Sequence, residues 1–311
     1  MRSARPTSAH RSGLELLRPD SVEAAAAALQ AAGGRGKAPA ASVGAAKSAP
    51  QGSVALAGGT EVVPLLRDGI VRAHTLVHVD GIVPSGVRDG WIGAGTKLAE
   101  LEADTQIPTV LREACSLAAS PQLRAMGSVA GNLLQSTRCW YWRLKFPCRL
   151  HGGSRCFARE GLHSEHAIFA NDFCASAHPS DVAAALLALR STVRTNRREL
   201  PLAELYRLPT DDDRSTTTLA DGELILELEH DRPLASTYLK AMDRRRYAFA
   251  IVGVAAARYE TETRLVLAGV APVPWALDSD RELQLATPLP GNTYKLDIAK
   301  TLVRRALETV E

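Results

Sequence analysis

The chain predicts an α+β fold, and two features of its sequence carry that expectation. Helical and extended segments come in blocks rather than in strict alternation, which argues against a doubly wound parallel sheet. The last third turns strand-rich: residues 223–228, 236–240, 248–259 and 264–270 are each apolar enough for a strand, although 248–259 also permits a helix. With 311 residues, 46% of them hydrophobic and 23% charged, the chain has room for two or three ordinary cores.

The elements follow in order. Residues 1–12 form a basic tail without periodicity. Pro19, Asp20 and Ser21 open an alanine-rich helix through Ala31, with Asp20 or Ser21 as its cap. Residues 33–53 are almost entirely Gly, Ala, Ser, Pro and Lys, too poor in apolar surface to order themselves, and predict a flexible insertion. A short buried strand at 54–57 runs into Gly58-Gly59-Thr60-Glu61, and another strand is expected at 75–79. Residues 91–95 give strand into turn, 98–104 a helix entered through Thr96, and 109–119 a helix with apolar residues at helical spacing. Cys115 falls within that spacing as a small core residue. An apolar helix is expected at 182–189, with Asp181 either capping it or holding ribose or ribityl hydroxyls, and an amphipathic helix closes the chain at 301–310.

Composition excludes several classes. A net charge of +3, scattered arginines and only 5% aromatic residues leave no footprint for nucleic acid. No apolar run approaches the roughly 20 residues of a membrane span. Residues 1–10 lack the apolar core of a secretory signal, so a cytoplasmic protein is expected, periplasmic only if a signal-bearing partner exports it. Five cysteines, four of them clustered, suit metal binding in a reducing compartment better than a disulfide framework.

Two small-residue turns can approach phosphate. Gly58-Gly59-Thr60-Glu61 follows a strand and exposes N–H groups in a tight bend, a nest for a diphosphate. Gly127-Ser128-Val129-Ala130-Gly131-Asn132 offers a hydroxyl, two flexible glycines and an amide. Neither matches the dinucleotide fingerprint or a P-loop. Together they suit a dinucleotide clasped from both sides. Lys240 and the basic run at 244–246 belong to the strand-rich part, where a buried lysine would stabilise the ring of a reduced flavin.

The second constellation is Cys139, Cys148, Cys156 and Cys174, spaced C-x8-C-x7-C-x17-C. Four thiolates suit tetrahedral zinc or a [4Fe–4S] cluster. The absence of a tight knuckle favours the cluster, and buried free thiols are the plain alternative. Trp140, Tyr141, Trp142, Phe146 and Phe157 crowd the same loop, as a dry shell around a redox centre would.

With these residues in place, the chain resembles the flavin subunit of the molybdenum hydroxylases, the xanthine dehydrogenase and aldehyde oxidoreductase group, over nearly its whole length. The resemblance rests on the run from Ala55 to Val62, Ile92-Gly93-Ala94, Ser120 to Arg124, Gly127 to Gln135, and His178-Pro179-Ser180-Asp181. It continues through Gly222 to Ile225, Lys240 with Arg244, and Gly269 to Pro272. It implies a two-subdomain FAD-binding fold of the vanillyl-alcohol-oxidase-like (PCMH) type, followed by a C-terminal α+β domain like that of the carbon monoxide dehydrogenase flavoprotein. The divisions would be a tail at 1–13, subdomains at 14–82 and 83–230, and the last domain at 231–311.

It further implies FAD held by Ala55, Leu56, Ala57, Gly58, Gly59, Thr60, Glu61 and Val62, and by Ser128, Val129, Ala130, Gly131 and Asn132. Ile92, Asp181, Ile225 and Lys240 would complete the pocket. The cysteine loop resembles that of the subgroup carrying an extra [4Fe–4S] cluster. A molybdopterin-binding large subunit and a [2Fe–2S] small subunit are the implied partners, in a heterotrimer or a dimer of heterotrimers that passes electrons to an external acceptor. The rival expectation is a non-catalytic assembly subunit with a decayed FAD site and structural zinc. Ala130 stands where the family commonly has glycine, and the stretch 275–292 is shorter than the family pattern.

Overall fold

The computed structural model of the chain describes residues 13–31, 52–244 and 248–311. The expected tail at 1–12, most of the insertion at 33–53, and Arg245 and Arg246 lie outside the described residues. The architecture is α+β, with three sheets in chain order.

The first sheet is parallel, in the order β1 (Glu15–Leu17), β3 (Thr75–His78), β2 (Ser53–Leu56). Helix α1 (Val22–Ala31) joins β1 to the rest and buries Ala25 and Leu29 against Val77 and Val79. Ser21 caps it, accepting the Ala24 N–H at 3.2 Å. Between β2 and β3 runs the short α2 (Val62–Arg67), entered through the first small-residue turn.

The second sheet is antiparallel, ordered β4 (Val87–Arg88), β5 (Trp91–Gly93), β8 (Ile225–Glu229), β6 (Thr192–Thr195), β7 (Glu199–Pro201). Its central strand β8 comes last in the chain, so the sheet closes only after a long excursion. That excursion holds α3 (Leu98–Ala103), α4 (Thr109–Leu117), α5 (Pro121–Met126), α6 (Val129–Leu133), α7 (Trp140–Arg143), α8 (Phe157–Glu160) and α9 (Asp181–Ala188), with α10 (Leu202–Leu205) following β7. Thr96 does not cap α3; Lys97 holds that position, and the Thr96 hydroxyl donates instead to Gly93 O at 2.7 Å. Helix α9 is buried at every residue, as an all-apolar helix must be. Its cap is Ser180, which accepts the Ala183 N–H at 2.9 Å, so Asp181 is released from that role.

The third sheet is antiparallel, in the order β12 (Trp275–Leu277), β11 (Thr263–Ala268), β10 (Val252–Arg258), β9 (Ala235–Ala241). The ambiguous stretch 248–259 is therefore a strand. Its apolar run lacks alternation because both faces are covered: Val252, Val254 and Ala256 face one core, Ala255 and Ala257 the other. The closing helix α11 (Tyr294–Val310) starts a turn and more earlier than its apolar pattern announced. Lys295 on that first turn is wholly buried, and its ammonium donates to the carbonyls of Glu165, His166 and Gly269 at 2.7–3.1 Å. A buried cation hides the helix start from any apolar periodicity.

Candidate functional site

The two small-residue turns meet face to face. Gly58 leaves β2 against the end of α5, where an added Cβ would lie 1.8 Å from Met126 O. Only glycine permits so close an approach of two backbones. Gly59 follows with φ +73°, bending the chain into α2. At Gly127 an added Cβ would stand 3.5 Å from Thr60 Oγ1, so the second turn begins where the first one ends.

Between them opens a cleft of about 1070 Å3, solvent mouth included. Ala55, Ala57, Gly58, Gly59, Thr60, Glu61 and Val62 line one wall; Ser128, Ala130, Gly131 and Ile225 line the other. Sequence reasoning missed Val54, Leu65, Val71, Val79, Val83, Ala94, Leu134, Ser136, Glu223 and Leu224, which make up the rest. Half of them, Val54, Leu65, Val71, Val79 and Val83, belong to β2, α2 and β3 or their flanks, and strand alternation from Ala55 would have set Val54 on the opposite face. Glu223 adds a carboxylate at the rim. Burial pushes its pKa up, but hydrogen bonds from Arg198, the Ala220 amide and Thr195 outweigh that and hold it below the usual range.

The turns differ in what their amides do. None of the N–H groups of Gly58, Gly59, Thr60 and Glu61 meets an acceptor among the described residues. In the second turn most amides are already bonded: Gly127 to Leu123 O, Val129 to Thr96 O, Ala130 to Ala94 O, Gly131 to Ser128 Oγ and Asn132 to Ser128 O, at 2.7–3.2 Å, while the Ser128 N–H meets no acceptor among the described residues. The first turn thus leaves four N–H groups for a ligand and the second leaves one, that of Ser128 on the same cleft. Asn132 Oδ1 accepts the Ser180 hydroxyl at 2.6 Å and ties the second turn to α9.

Five expected cofactor residues stand off the cleft wall, besides Asn132. Leu56 and Val129 turn away from it, and Ile92 is fully buried in the main core. Asp181 and Lys240 lie together inside the protein, their side chains 4% and 1% exposed and 2.7 Å apart. The Tyr238 hydroxyl donates to the second Asp181 oxygen at 2.5 Å, and Lys240 also donates to Leu117 O at 2.9 Å. The pair is a closed internal unit that joins α9 to β9.

Glu61 links the first turn to the cysteine loop. Its carboxylate pairs with Arg143 at 2.6 Å and Arg138 at 2.8 Å, and accepts the Ser136 N–H at 3.2 Å. Past Ser136 the cleft shares walls with a second cavity along Leu134, Thr137 and Ala177–Pro179. That one adjoins a third, of about 910 Å3, bounded by Arg138, Trp140, His166, Phe249 and Ile251. Leu134 and Ser136 are walls common to the first two cavities, and Ala177–Pro179 are common to the last two.

The four cysteines converge. Cys139, Cys148, Cys156 and Cys174 line a single closed cavity of about 260 Å3, together with Tyr141, Trp142 and Phe157. Three of them stand at the N-terminal cap of a short helical turn: Cys139 before α7, Cys148 before the 3-10 turn Arg149–His151, and Cys156 before α8. Burial pushes Cys139 up to about 12 against the pull of the Trp142 and Tyr141 amides, and raises Cys148 against those of His151 and Leu150. Cys156 is pulled down, first by a hydrogen bond from the Cys174 thiol, which is itself raised by donating it. Among the described residues, no three His, Cys, Asp or Glu donors stand close enough to grasp one metal ion. The quartet shares a cavity without forming a tight single-ion tetrahedron. Cys115 is apart from it, wholly buried in α4.

The family described as the FAD binding domain in molybdopterin dehydrogenase matches residues 12–229. The chain is 33% identical over 288 residues to the aldehyde oxidoreductase FAD-binding subunit PaoB of Escherichia coli (strain K12), covering 82% of this chain and 91% of that protein. In fold it is similar to a chain of carbon monoxide dehydrogenase from Hydrogenophaga pseudoflava, with a TM-score of 0.67 at 18% identity over 96% of each chain. A chain of quinoline 2-oxidoreductase from Pseudomonas putida 86 gives 0.62 at 15% identity, again over 96% of each. No described helix is long and apolar enough to cross a membrane.

Proposed function

This chain belongs to the family of FAD-binding domains in molybdopterin dehydrogenases, and on that premise we propose that it is the FAD-binding electron-transfer subunit of a molybdopterin-dependent oxidoreductase of the aldehyde oxidoreductase type. The free amides of Gly58, Gly59, Thr60 and Glu61, all on the cleft wall, carry this reading. Four N–H groups turned to one concavity suit a diphosphate, and the Met126–Gly127 backbone behind Gly58 fixes their direction. Glu61 would repel a phosphate if bare; Arg138 and Arg143 neutralise it. The neighbouring cavities, which share walls at Leu134, Ser136 and Ala177–Pro179, offer an extended dinucleotide room beyond the apolar cleft. When bound, FAD supplies the chemistry, taking electrons singly and yielding a pair.

We further assign Cys139, Cys148, Cys156 and Cys174 to a [4Fe–4S] cluster. The four thiols line one cavity, and their spacing, without the tight C-x2–4-C knuckle usual in zinc sites, suits a cluster better. Amides aimed at the sulfurs from three short helical turns favour the thiolate form that ligation needs. A molybdopterin-binding subunit and a [2Fe–2S] subunit are the partners this reading requires, with the cytoplasm as compartment. Its unit boundaries fall between the sheets, at 14–82, 83–230 and 231–311.

Co-expression with those partners, followed by flavin release on denaturation and by iron, sulfide and zinc analysis, tests both assignments. FAD with about four iron and four sulfide beyond the [2Fe–2S] content is the expected result. A colourless subunit ends the flavin reading, and zinc in place of iron ends the cluster reading.

A further inference from the structure

His166 has no part in the roles assigned above, yet it touches the site. Its ring is buried, with Nε2 3.2 Å from Cys139 Sγ, and Nδ1 meets no partner among the described residues. Trp140 closes on the ring edge-on, centroids 4.7 Å apart. The backbone is held as firmly: His166 O accepts from Lys295 Nζ at 2.9 Å and Asn292 Nδ2 at 3.1 Å, and its N–H donates to His163 O at 3.0 Å. Helix α11 thus clamps this residue against the cysteine loop from the far side.

The geometry decides the tautomer. A neutral imidazole carries one proton, on either nitrogen. On Nδ1 it would leave a buried N–H without an acceptor and, with Cys139 as a ligating thiolate that can only accept, turn the Nε2 lone pair onto sulfur lone pairs. On Nε2 it points at Cys139 Sγ, and only a bare nitrogen stays unpaired. Cys139 is also the one cysteine of the four that lines both the four-cysteine cavity and the neighbouring cavity of about 910 Å3, whose walls include Trp140 and His166.

We propose that His166 is a positioning residue for the four-cysteine site, donating its Nε2–H to Cys139 Sγ and raising the reduction potential of the group held there. This rests on the cluster reading given above. A donor to a ligating sulfur stabilises the reduced form, which carries the extra negative charge. No proton leaves the ring in this role.

The test uses the full complex, with His166→Leu and His166→Gln beside the wild type, in anaerobic redox titration followed by EPR of the cluster signal. His166→Leu is expected to weaken one-electron reduction about tenfold, a fall of ~59 mV, with the flavin midpoint unmoved. His166→Gln keeps an N–H and is expected to recover much of the shift. A wild-type potential in an iron-replete His166→Leu complex overturns the proposal alone. Iron lost from both variants overturns it too, by making the imidazole a ligand or a packing element. A wild-type complex without the cluster is a separate result, read from iron content before any variant, and removes the premise.

Discussion

Replacing Gly58 by alanine is the most direct probe of the paired turns. The new Cβ would lie 1.8 Å from Met126 O and 2.7 Å from Met126 C, both backbone atoms that no rotamer change can move aside. Ordinary contact begins at 3.4 Å, so the two backbones must part by about 1.6 Å. Overpacking of this kind costs about 1–3 kcal/mol, and backbone on both sides puts it near 3. For a chain of 311 residues, that lowers Tm by about 5 °C. The same displacement turns the Gly58–Glu61 amides away from their common focus, so retained flavin should fall in step. Thermal unfolding and the flavin-to-protein absorbance ratio after gel filtration read the two effects. Gly13→Ala, where nothing lies within 4 Å, is the matched control and should leave both unchanged. Wild-type Tm and flavin content in Gly58→Ala would refute the view that this contact sets the cleft.

Two further outcomes follow from buried charge. Lys240→Met strands the Asp181 carboxylate beside only the Tyr238 hydroxyl and should cost about 3–5 kcal/mol in urea unfolding, most of it regained when Asp181→Leu is added. His178 is buried and neutral, its pKa pushed down to about 4 from 6.5. The unfolded chain therefore binds the proton first, and stability drains as pH drops from 6.5 towards 4, by up to about 3 kcal/mol. His178→Asn should flatten that part of the stability–pH curve, and an unchanged slope would remove His178 as its source.

Much of this molecule is legible in its sequence where a local signal and a tertiary role coincide. The run 182–189 is apolar on all sides and becomes the most buried helix. Gly58-Gly59 after a strand is a tight turn on a cleft wall, as its pattern announced, and the cysteines clustered in sequence also cluster in space. The rest was hidden for physical reasons. Helices α5 and α6 are one turn and a little more, too short for periodicity, although their Ser120 and Ser128 caps were visible signals. In the second turn, composition shows small residues but not that all of its amides except that of Ser128 are already bonded. Lys240 and Asp181, separated by 59 residues, reveal their pairing only once β9 lies against α9. His166 sits among several loop histidines, and spacing offers no reason to single it out.

Glu61 makes two neighbouring regions mechanically one. It belongs to the first turn, but its oxygens are gripped by arginines on either side of Cys139. Any shift of that loop, such as one from a partner pressing on its outer surface, is passed through two short ion pairs into the Gly58–Glu61 turn. Damage at the cysteines would therefore first be noticed as a leak of yellow colour.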